Sequence, residues 1–335
     1  MAEVHILNVG QGDCNIIKSN KGRITMFDIC GGNKGIEEAK ALLAEVVTGA
    51  AVKGNYRMCE KPTNPIDFVR NTMGASSVFR FILSHPDMDH MDGFDNLMNN
   101  VNVYNFWDSG VRKEKPDFSG GPYQEKDWDR YEKVRDGKED GVTVISPIAG
   151  DKNKFFNQDD DGGGGDFIYI YAPSSELVDE ANKSNNGESI NDGSYVIVYR
   201  SAGGRILLPG DAHDKTWEYV IDNYLDELEN CEFMLAPHHG RDSGRSWDFL
   251  DKIKPKFSVL GCASSEHLAY NQWNRRGLEK ITQNQAGNVA IYPDSEGLSI
   301  YVENDKFVEA YGGDVTTQDE YGNYYLTHID KSSNY

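Results

Sequence analysis

The sequence predicts a mixed α/β chain: a four-layer αββα sandwich of two sheets, covered on both outer faces by helices. Three observations carry that expectation. Short apolar runs broken by Gly-containing turns begin almost at residue 1, a second set of apolar runs begins near residue 167, and both sets alternate with segments of helical spacing. No Pro- or Ser-rich linker separates the two halves. A single domain is therefore expected over residues 1–312, with an insertion at about 108–165 and a polar C-terminal tail over 313–335.

Taken in order, Val4 to Asn8, Cys14 to Lys18 and Arg23 to Phe27 read as an antiparallel meander, turned by Gly10-Gln11-Gly12-Asp13 and Asn20-Lys21-Gly22. Residues 34–48 are Ala- and Glu-rich with helical spacing, and Asn64-Pro65 opens a second helix over 62–73. Val78 to Leu83 reads as a strand, Gly93 to Asn100 as a helix and Val101 to Phe106 as the next strand. Residues 108–165 are charged, aromatic and Gly-rich. They read as a solvated surface insertion, or as a lid carrying Trp107, Tyr123, Trp128 and Tyr131.

The second half repeats the β-then-α order. Strands are expected at Phe167 to Tyr171, Tyr195 to Arg200, Arg205 to Leu208 and Phe233 to Ala236, with helices at 174–184, 213–229 and 246–253. Further strands are expected at 256–260, 288–293, 298–303 and 306–311, around a helix near 272–284. Beyond 313 a poorly ordered tail is expected, in which Tyr321, Tyr324, Tyr325 and Leu326 offer one strand that could dock.

Composition narrows the function classes. A hydrophobic share of 38% fits a folded chain, and no apolar run has the length of a membrane span. The 34 basic against 54 acidic residues leave a net charge of −20, the wrong sign for a protein that grips long duplexes by neutralising phosphates. An enzyme that admits one phosphodiester into a cation-centred cleft stays compatible with that charge. The five cysteines are odd in number and lack a C-x-x-C pair, which reads as free thiols in a reducing compartment. With no signal-peptide pattern at Met1, the expected address is cytoplasmic, with no membrane and no identifiable protein partner.

The chemistry concentrates in Phe81-Ile82-Leu83-Ser84-His85-Pro86-Asp87-Met88-Asp89-His90-Met91-Asp92-Gly93. An apolar strand stops at Ser84 and is followed by two histidines and three carboxylates within eight residues. Mixed imidazole and carboxylate at this density suits a divalent cation better than an ordinary polar loop. Two later strands end in the same kinds of group: Leu207-Leu208-Pro209-Gly210-Asp211, and Phe233-Met234-Leu235-Ala236-Pro237-His238-His239-Gly240. Three strand ends bearing His or Asp can converge at one edge of a sheet and hold one or two ions.

With these residues in view, the chain resembles the metallo-β-lactamase-fold hydrolases, and within them the soluble hydrolase domain of ComEC-type DNA-uptake channel proteins. The likeness rests on Asn8 to Asp13, Phe27 to Gly31, the S-H-x-D-x-D-H-x-x-G run from Ser84 to Gly93, Asn191 to Val196, Leu208 to Asp211 and Pro237 to Gly240, in the family's order across residues 3–261. Channel segments are not part of the match. The resemblance implies a metal-dependent phosphodiesterase or nuclease that uses a metal-activated water. Its expected substrate is a small phosphodiester, a nucleotide or a short single-stranded nucleic acid. The alternatives are another ester hydrolase on the same fold, such as a phosphorylcholine-type phosphodiesterase or a lactonase, and a metal-poor binding domain.

Carried across by motif, the ligands are His85, Asp87 and Asp211 at a first position, and Asp89, His90, Asp211 and His238 at a second. Asp89 and His239 are the expected catalytic groups, with His239 either touching substrate or backing a ligand. Asp28, Asn191 and Ser194 are expected behind the ligands, and Arg241, Ser243 and Arg245 beside the substrate. Asp87 stands where the parent pattern has an imidazole, so the first position is harder and poorer in nitrogen. The expected cofactor is one or two divalent ions, Zn²⁺ or Mn²⁺, with Mg²⁺ also admissible.

Overall fold

Four-residue apolar strands joined by tight turns force the N-terminal segment to pair with itself. In the computed structural model, which describes residues 1–33, 55–158, 165–184, 187–263 and 267–333, β1 (Glu3–Ile6), β2 (Asn15–Lys18) and β3 (Ile24–Phe27) form the expected antiparallel meander. β4 (Ser77–Leu83), β5 (Asn102–Asp108) and β6 (Thr143–Ile145) then continue the sheet in parallel from β3. The second half supplies β7 (Ile168–Ala172), β8 (Val196–Ser201), β9 (Gly204–Leu208), β10 (Phe233–Leu235), β11 (Phe257–Leu260) and β12 (Lys280–Thr282). The chain then returns to the first sheet with β13 (Val289–Pro293), β14 (Gly297–Val302), β15 (Asp314–Gln318) and β16 (Tyr324–Asp330). The sheet orders are β15-β16-β14-β13-β1-β2-β3-β4-β5-β6 and β12-β11-β10-β9-β8-β7.

Strand alternation builds the four layers. Ile82 of β4 packs in the cluster that also holds Ile206 and Leu208 of β9 and Phe233 of β10, between the sheets. Its neighbours Phe81 and Leu83 turn the other way, onto Phe94 and Leu97 of the helix Phe94–Asn100 and Trp128 and Tyr131 of the helix Glu125–Arg135. On the far side, Leu207 and Met234 meet Trp217 and Val220 of the helix Asp214–Leu228 and Leu250 of the helix Phe249–Ile253. Helix, sheet, sheet and helix are thus the observed layers, as the sequence predicts.

Several local expectations are corrected. The 108–165 segment is not merely a solvated insertion: β6 extends the sheet, and Trp128, Tyr131 and Val134 are buried. Their three-residue spacing makes an apolar helical stripe, which charged neighbours conceal in the sequence. Residues 306–311 form the helix Asp305–Tyr311 instead of a strand. Phe307, Val308 and Tyr311 share a helical face, and Gly312 at φ 95 closes the helix. The continuous helix expected near 272–284 is broken into Tyr270–Asn274, β12 and Gln283–Ala286; Gly277 at φ 65 interrupts it and Thr282 caps the last turn.

The expected polar tail contributes β15 and β16. Leu326 is buried in the inter-sheet core and the Tyr321 hydroxyl donates to Glu3 at 2.8 Å. The reading of five free thiols is also corrected, because Cys59 and Cys262 form a disulfide. Such bonds are rare in reducing compartments, so the cytoplasmic expectation loses its cysteine support. The helix expected at 34–48 lies outside the described residues. No helix among the described residues is long and apolar enough to cross a membrane.

Candidate metal centre

The site lies where β3, β4, β9 and β10 run out. β3 and β4 are parallel neighbours, as are β9 and β10, so their C-terminal ends deliver Asp28, Ser84-His85, Asp211 and His238-His239 to one edge of the sandwich. After β4 the chain makes a single 3₁₀ turn, Met88–His90, which places Asp87, Asp89 and His90 around that edge. The N-terminal loop closes against this turn at Gly12. A Cβ there would lie 2.4 Å from the Asp89 carbonyl oxygen and 2.5 Å from Cys30, so only glycine lets the two loops meet.

Asp211 sits at the middle. Its Oδ1 lies 3.3 Å from His90 Nε2, and its Oδ2 lies 3.6 Å from His238 Nε2 and 3.9 Å from His85 Nε2. Asp89 spans His90 Nε2 at 3.9 Å and His239 Nε2 at 3.3 Å. Asp87 reaches His85 Nε2 at 3.7 Å through Oδ2, while its Oδ1 accepts from Lys113 Nζ at 2.5 Å. Ligand-type atoms of His85, His90 and Asp211, of Asp89, His90 and His239, and of Asp13, Asp211 and His239 form three groups, each within 4.8 Å.

The outward-facing nitrogens are held from behind. Asp28 Oδ2 accepts from His90 Nδ1 at 2.8 Å and its Oδ1 accepts from the Ser84 amide at 2.7 Å. Asp13 Oδ1 accepts from His239 Nδ1 at 3.0 Å. A carboxylate behind an imidazole fixes its proton on Nδ1 and turns the Nε2 lone pair inward. The inward atoms His85 Nε2, His90 Nε2 and Asp211 Oδ1 are buried and make no well-aligned hydrogen bond among the described residues, although His90 Nε2 and Asp211 Oδ1 face each other at 3.3 Å. Buried polar atoms left unsatisfied are rare and costly, and nitrogen and carboxylate donors facing a common point suit a divalent cation. The residues fit such an ion.

The electrostatics agree with that donor set. Burial alone would raise Asp211, but His90, His239 and His238 hold it well below the usual carboxylate range. Burial likewise opposes the charge on His90, yet Asp211, Asp28 and Asp89 lift it well above the imidazole range. His239 is raised to about 10 against burial by Asp13 and Asp211. His238 goes the other way, lowered to about 4 by burial and by Arg245, with Asp211 opposing. Without an ion, the cluster neutralises its carboxylates with protonated imidazoles.

The structure places the sequence-predicted residues unevenly. His85, Asp87, Asp89, His90, Asp211, His238 and His239 converge, with Asp28 behind them. Of the adjacent pair, His239 joins the groups of ligand atoms and His238 does not. Asn191 and Ser194 lie in a turn closed by the Ser194 amide on the Asn191 carbonyl. Their side-chain oxygens, Asn191 Oδ1 and Ser194 Oγ, are buried and have no hydrogen-bond partner among the described residues, a ligand imidazole included. Arg241 and Ser243 are exposed, whereas Arg245 is buried, donating to the Ala212 carbonyl at 2.6 Å and to His238 Nδ1 at 2.6 Å. Sequence reasoning gave Asp13 only a loop-shaping role and did not single out Lys113. The first had a signal in the Gly10 to Asp13 motif; the second had none.

No protein-family model and no curated protein matches the sequence. Solved structures do resemble it. A metallo hydrolase from the hyperthermophilic archaeon Ignicoccus hospitalis is 11% identical, with a TM-score of 0.46 over 87% of this chain and 100% of its own. A metal-dependent hydrolase of the β-lactamase superfamily, Tm1679, is 12% identical, with a TM-score of 0.44 over 88% of this chain and 100% of its own. The metallo-β-lactamase-fold protein YhfI from Bacillus subtilis is 9% identical, with a TM-score of 0.44 over 87% of this chain and 100% of its own. At such identities and scores, no residue role passes from them to this chain.

Proposed function

We propose that the chain is a metal-dependent hydrolase of the metallo-β-lactamase fold that cleaves phosphodiesters, in a small diester, a nucleotide or a short single strand. The observation that carries this reading is the set of buried donor atoms facing one another around Asp211 without a well-aligned hydrogen bond among the described residues, with carboxylates fixing His90 and His239 from behind. Asp89, His90, Asp211 Oδ1 and His239 would hold one ion. His85, Asp87 and Asp211 Oδ2, the first position, would hold the other, more weakly. When bound, the ions supply Lewis acidity toward a phosphoryl oxygen and an activated water.

The chain's own contribution is to pre-orient these donors. Asp28 and Asp13 keep His90 and His239 with Nε2 inward, and the Gly12 contact locks the N-terminal loop under Asp89. Asp87 in place of an imidazole makes the first position hard, which supports Mn²⁺ or Mg²⁺ there and phosphodiester rather than β-lactam chemistry. Lys113, from the inserted segment, is ion-paired with Asp87 at 2.5 Å and places a positive charge at the edge of the centre, which supports an anionic substrate. The ComEC-like motif order supports the same substrate class.

The test is hydrolysis by chelator-stripped protein reloaded with Mn²⁺, Zn²⁺ or Mg²⁺, assayed on bis(4-nitrophenyl) phosphate and on a labelled single-stranded oligonucleotide. Metal-dependent turnover of the simple diester is expected. Cleavage of the strand as well would favour a nuclease. A folded, metal-loaded protein that turns over neither refutes the proposal.

A further inference from the structure

The two adjacent histidines differ in what stands behind each ring. His238 and His239 both take left-handed backbone angles, φ 52 and φ 57, which throws their rings apart to an interplanar angle of 64°. Behind His239 is the Asp13 carboxylate, an acceptor; behind His90 is the Asp28 carboxylate, also an acceptor. Behind His238 is the Arg245 guanidinium, whose Nη2 lies 2.6 Å from His238 Nδ1, with Ser243 Oγ at 3.1 Å. A guanidinium has donors and no acceptor. His238 Nδ1 therefore accepts, and its ring proton sits on Nε2, the atom aimed at the site.

Arg245 is not free to turn away. It is buried, its Nη1 donates to the Ala212 carbonyl at 2.6 Å and to the Asp211 carbonyl at 3.4 Å, and its Nε donates to Ser243 Oγ at 3.3 Å. The backbone of the central carboxylate residue thus fixes the arginine that fixes the His238 tautomer. The His238 side chain is also the exposed one, at 21% against 0% for His85 and His90 and 3% for His239. Its Nε2 lies beside Asp211 Oδ2, facing the first ion position. An imidazole that binds an ion through Nε2 needs a lone pair there, and His238 presents an N–H.

We infer that His238 is not a metal ligand but the substrate-contacting donor of the site, its Nε2–H hydrogen-bonding a non-bridging phosphoryl oxygen of the diester, with Arg245 as the positioning residue. This rests on the phosphodiester reading above and sharpens it. No proton is transferred in this role; the bond binds and orients the anion and strengthens as charge grows on that oxygen.

The test compares His238→Ala, His238→Gln and His239→Ala. Mn²⁺ stoichiometry and affinity are measured by calorimetry, and turnover of bis(4-nitrophenyl) phosphate with Mn²⁺ is followed. His238→Ala is expected to keep the wild-type ion count and affinity while losing about 100-fold or more in turnover. His238→Gln, which retains a donor, should recover much of that loss, and His239→Ala should lose an ion. Imidazole ¹⁵N NMR of the wild-type protein should show His238 protonated at Nε2 and bare at Nδ1. Loss of an ion in His238→Ala, or a proton on Nδ1 of His238, overturns this inference alone. Absence of diester turnover by metal-loaded wild-type protein overturns the reading beneath it and this inference with it.

Discussion

Replacing Asp28 by Asn tests how the centre is held with almost no change of shape. Asp28 is wholly buried, and its two oxygens serve different partners: Oδ1 accepts from the Ser84 amide at 2.7 Å and Oδ2 from His90 Nδ1 at 2.8 Å. Asn has one acceptor and one donor group. If its oxygen stays with Ser84, its NH₂ faces His90 Nδ1 and moves the ring proton to Nε2, the atom that must offer a lone pair. If its oxygen turns to His90, the NH₂ opposes the Ser84 N–H and leaves two buried donors in contact. The lost charge-assisted bond is worth about 1.5–3 kcal/mol. Outer partners of ligand imidazoles contribute about 10- to 100-fold in metal affinity, equivalent to about 1.4–2.8 kcal/mol. Asp28→Asn should therefore weaken Mn²⁺ binding, read by competition with a chelator, by at least about tenfold. A folded Asp28→Asn protein that binds within about twofold of wild type would refute the claim that Asp28 sets the His90 tautomer.

Three further outcomes follow from parts of the fold away from the centre. Burial would raise Glu3, but the His5 imidazole at 3.7 Å and hydrogen bonds from Lys18 and Tyr321 lower it from 4.5 to about 2. Its stabilising effect is therefore complete above pH 4.5 and fades as pH falls toward 2. Between pH 7 and 3, wild type should lose up to about 2 kcal/mol more stability in urea melts than Glu3→Gln, and equal losses would contradict the assignment. Trp128→Ala should cost about 3–5 kcal/mol, since that side chain is wholly buried under the first sheet, whereas a solvated insertion would tolerate it. Alkylation of unfolded protein without reductant should label Cys14, Cys30 and Cys231 and spare Cys59 and Cys262; five labelled cysteines would exclude the disulfide.

The parts of the centre legible in the sequence were those where chemistry is dense and local. Ser84 to Gly93, Leu208 to Asp211 and Pro237 to Gly240 each pair an apolar strand with ligand-type residues at its end, and the sheets bring those ends together. Asp13 was harder to place, because its partner His239 is 226 residues away and nothing local distinguishes an acid that orients an imidazole from one that shapes a turn. The choice between His238 and His239 has the same difficulty. They are neighbours in sequence, and what separates them is the acceptor or donor that other segments place behind each ring. The helix Glu125–Arg135 was hidden for another reason: three buried apolar positions sit among charges, so composition reads as solvated where periodicity reads as core. The misread strand at 306–311 shows the converse, since a short apolar cluster serves either geometry until Gly312 closes it as a helix.

The central claim is that Asp211 joins two halves of a divalent-metal centre. Equilibrium dialysis of chelator-stripped protein against Mn²⁺ or Zn²⁺, for wild type and Asp211→Ala side by side, tests it directly. The prediction is uptake of at least one ion per chain by wild type and loss of that uptake, together with all diester turnover, in Asp211→Ala. No uptake by folded wild-type protein, or unchanged uptake in Asp211→Ala, contradicts it.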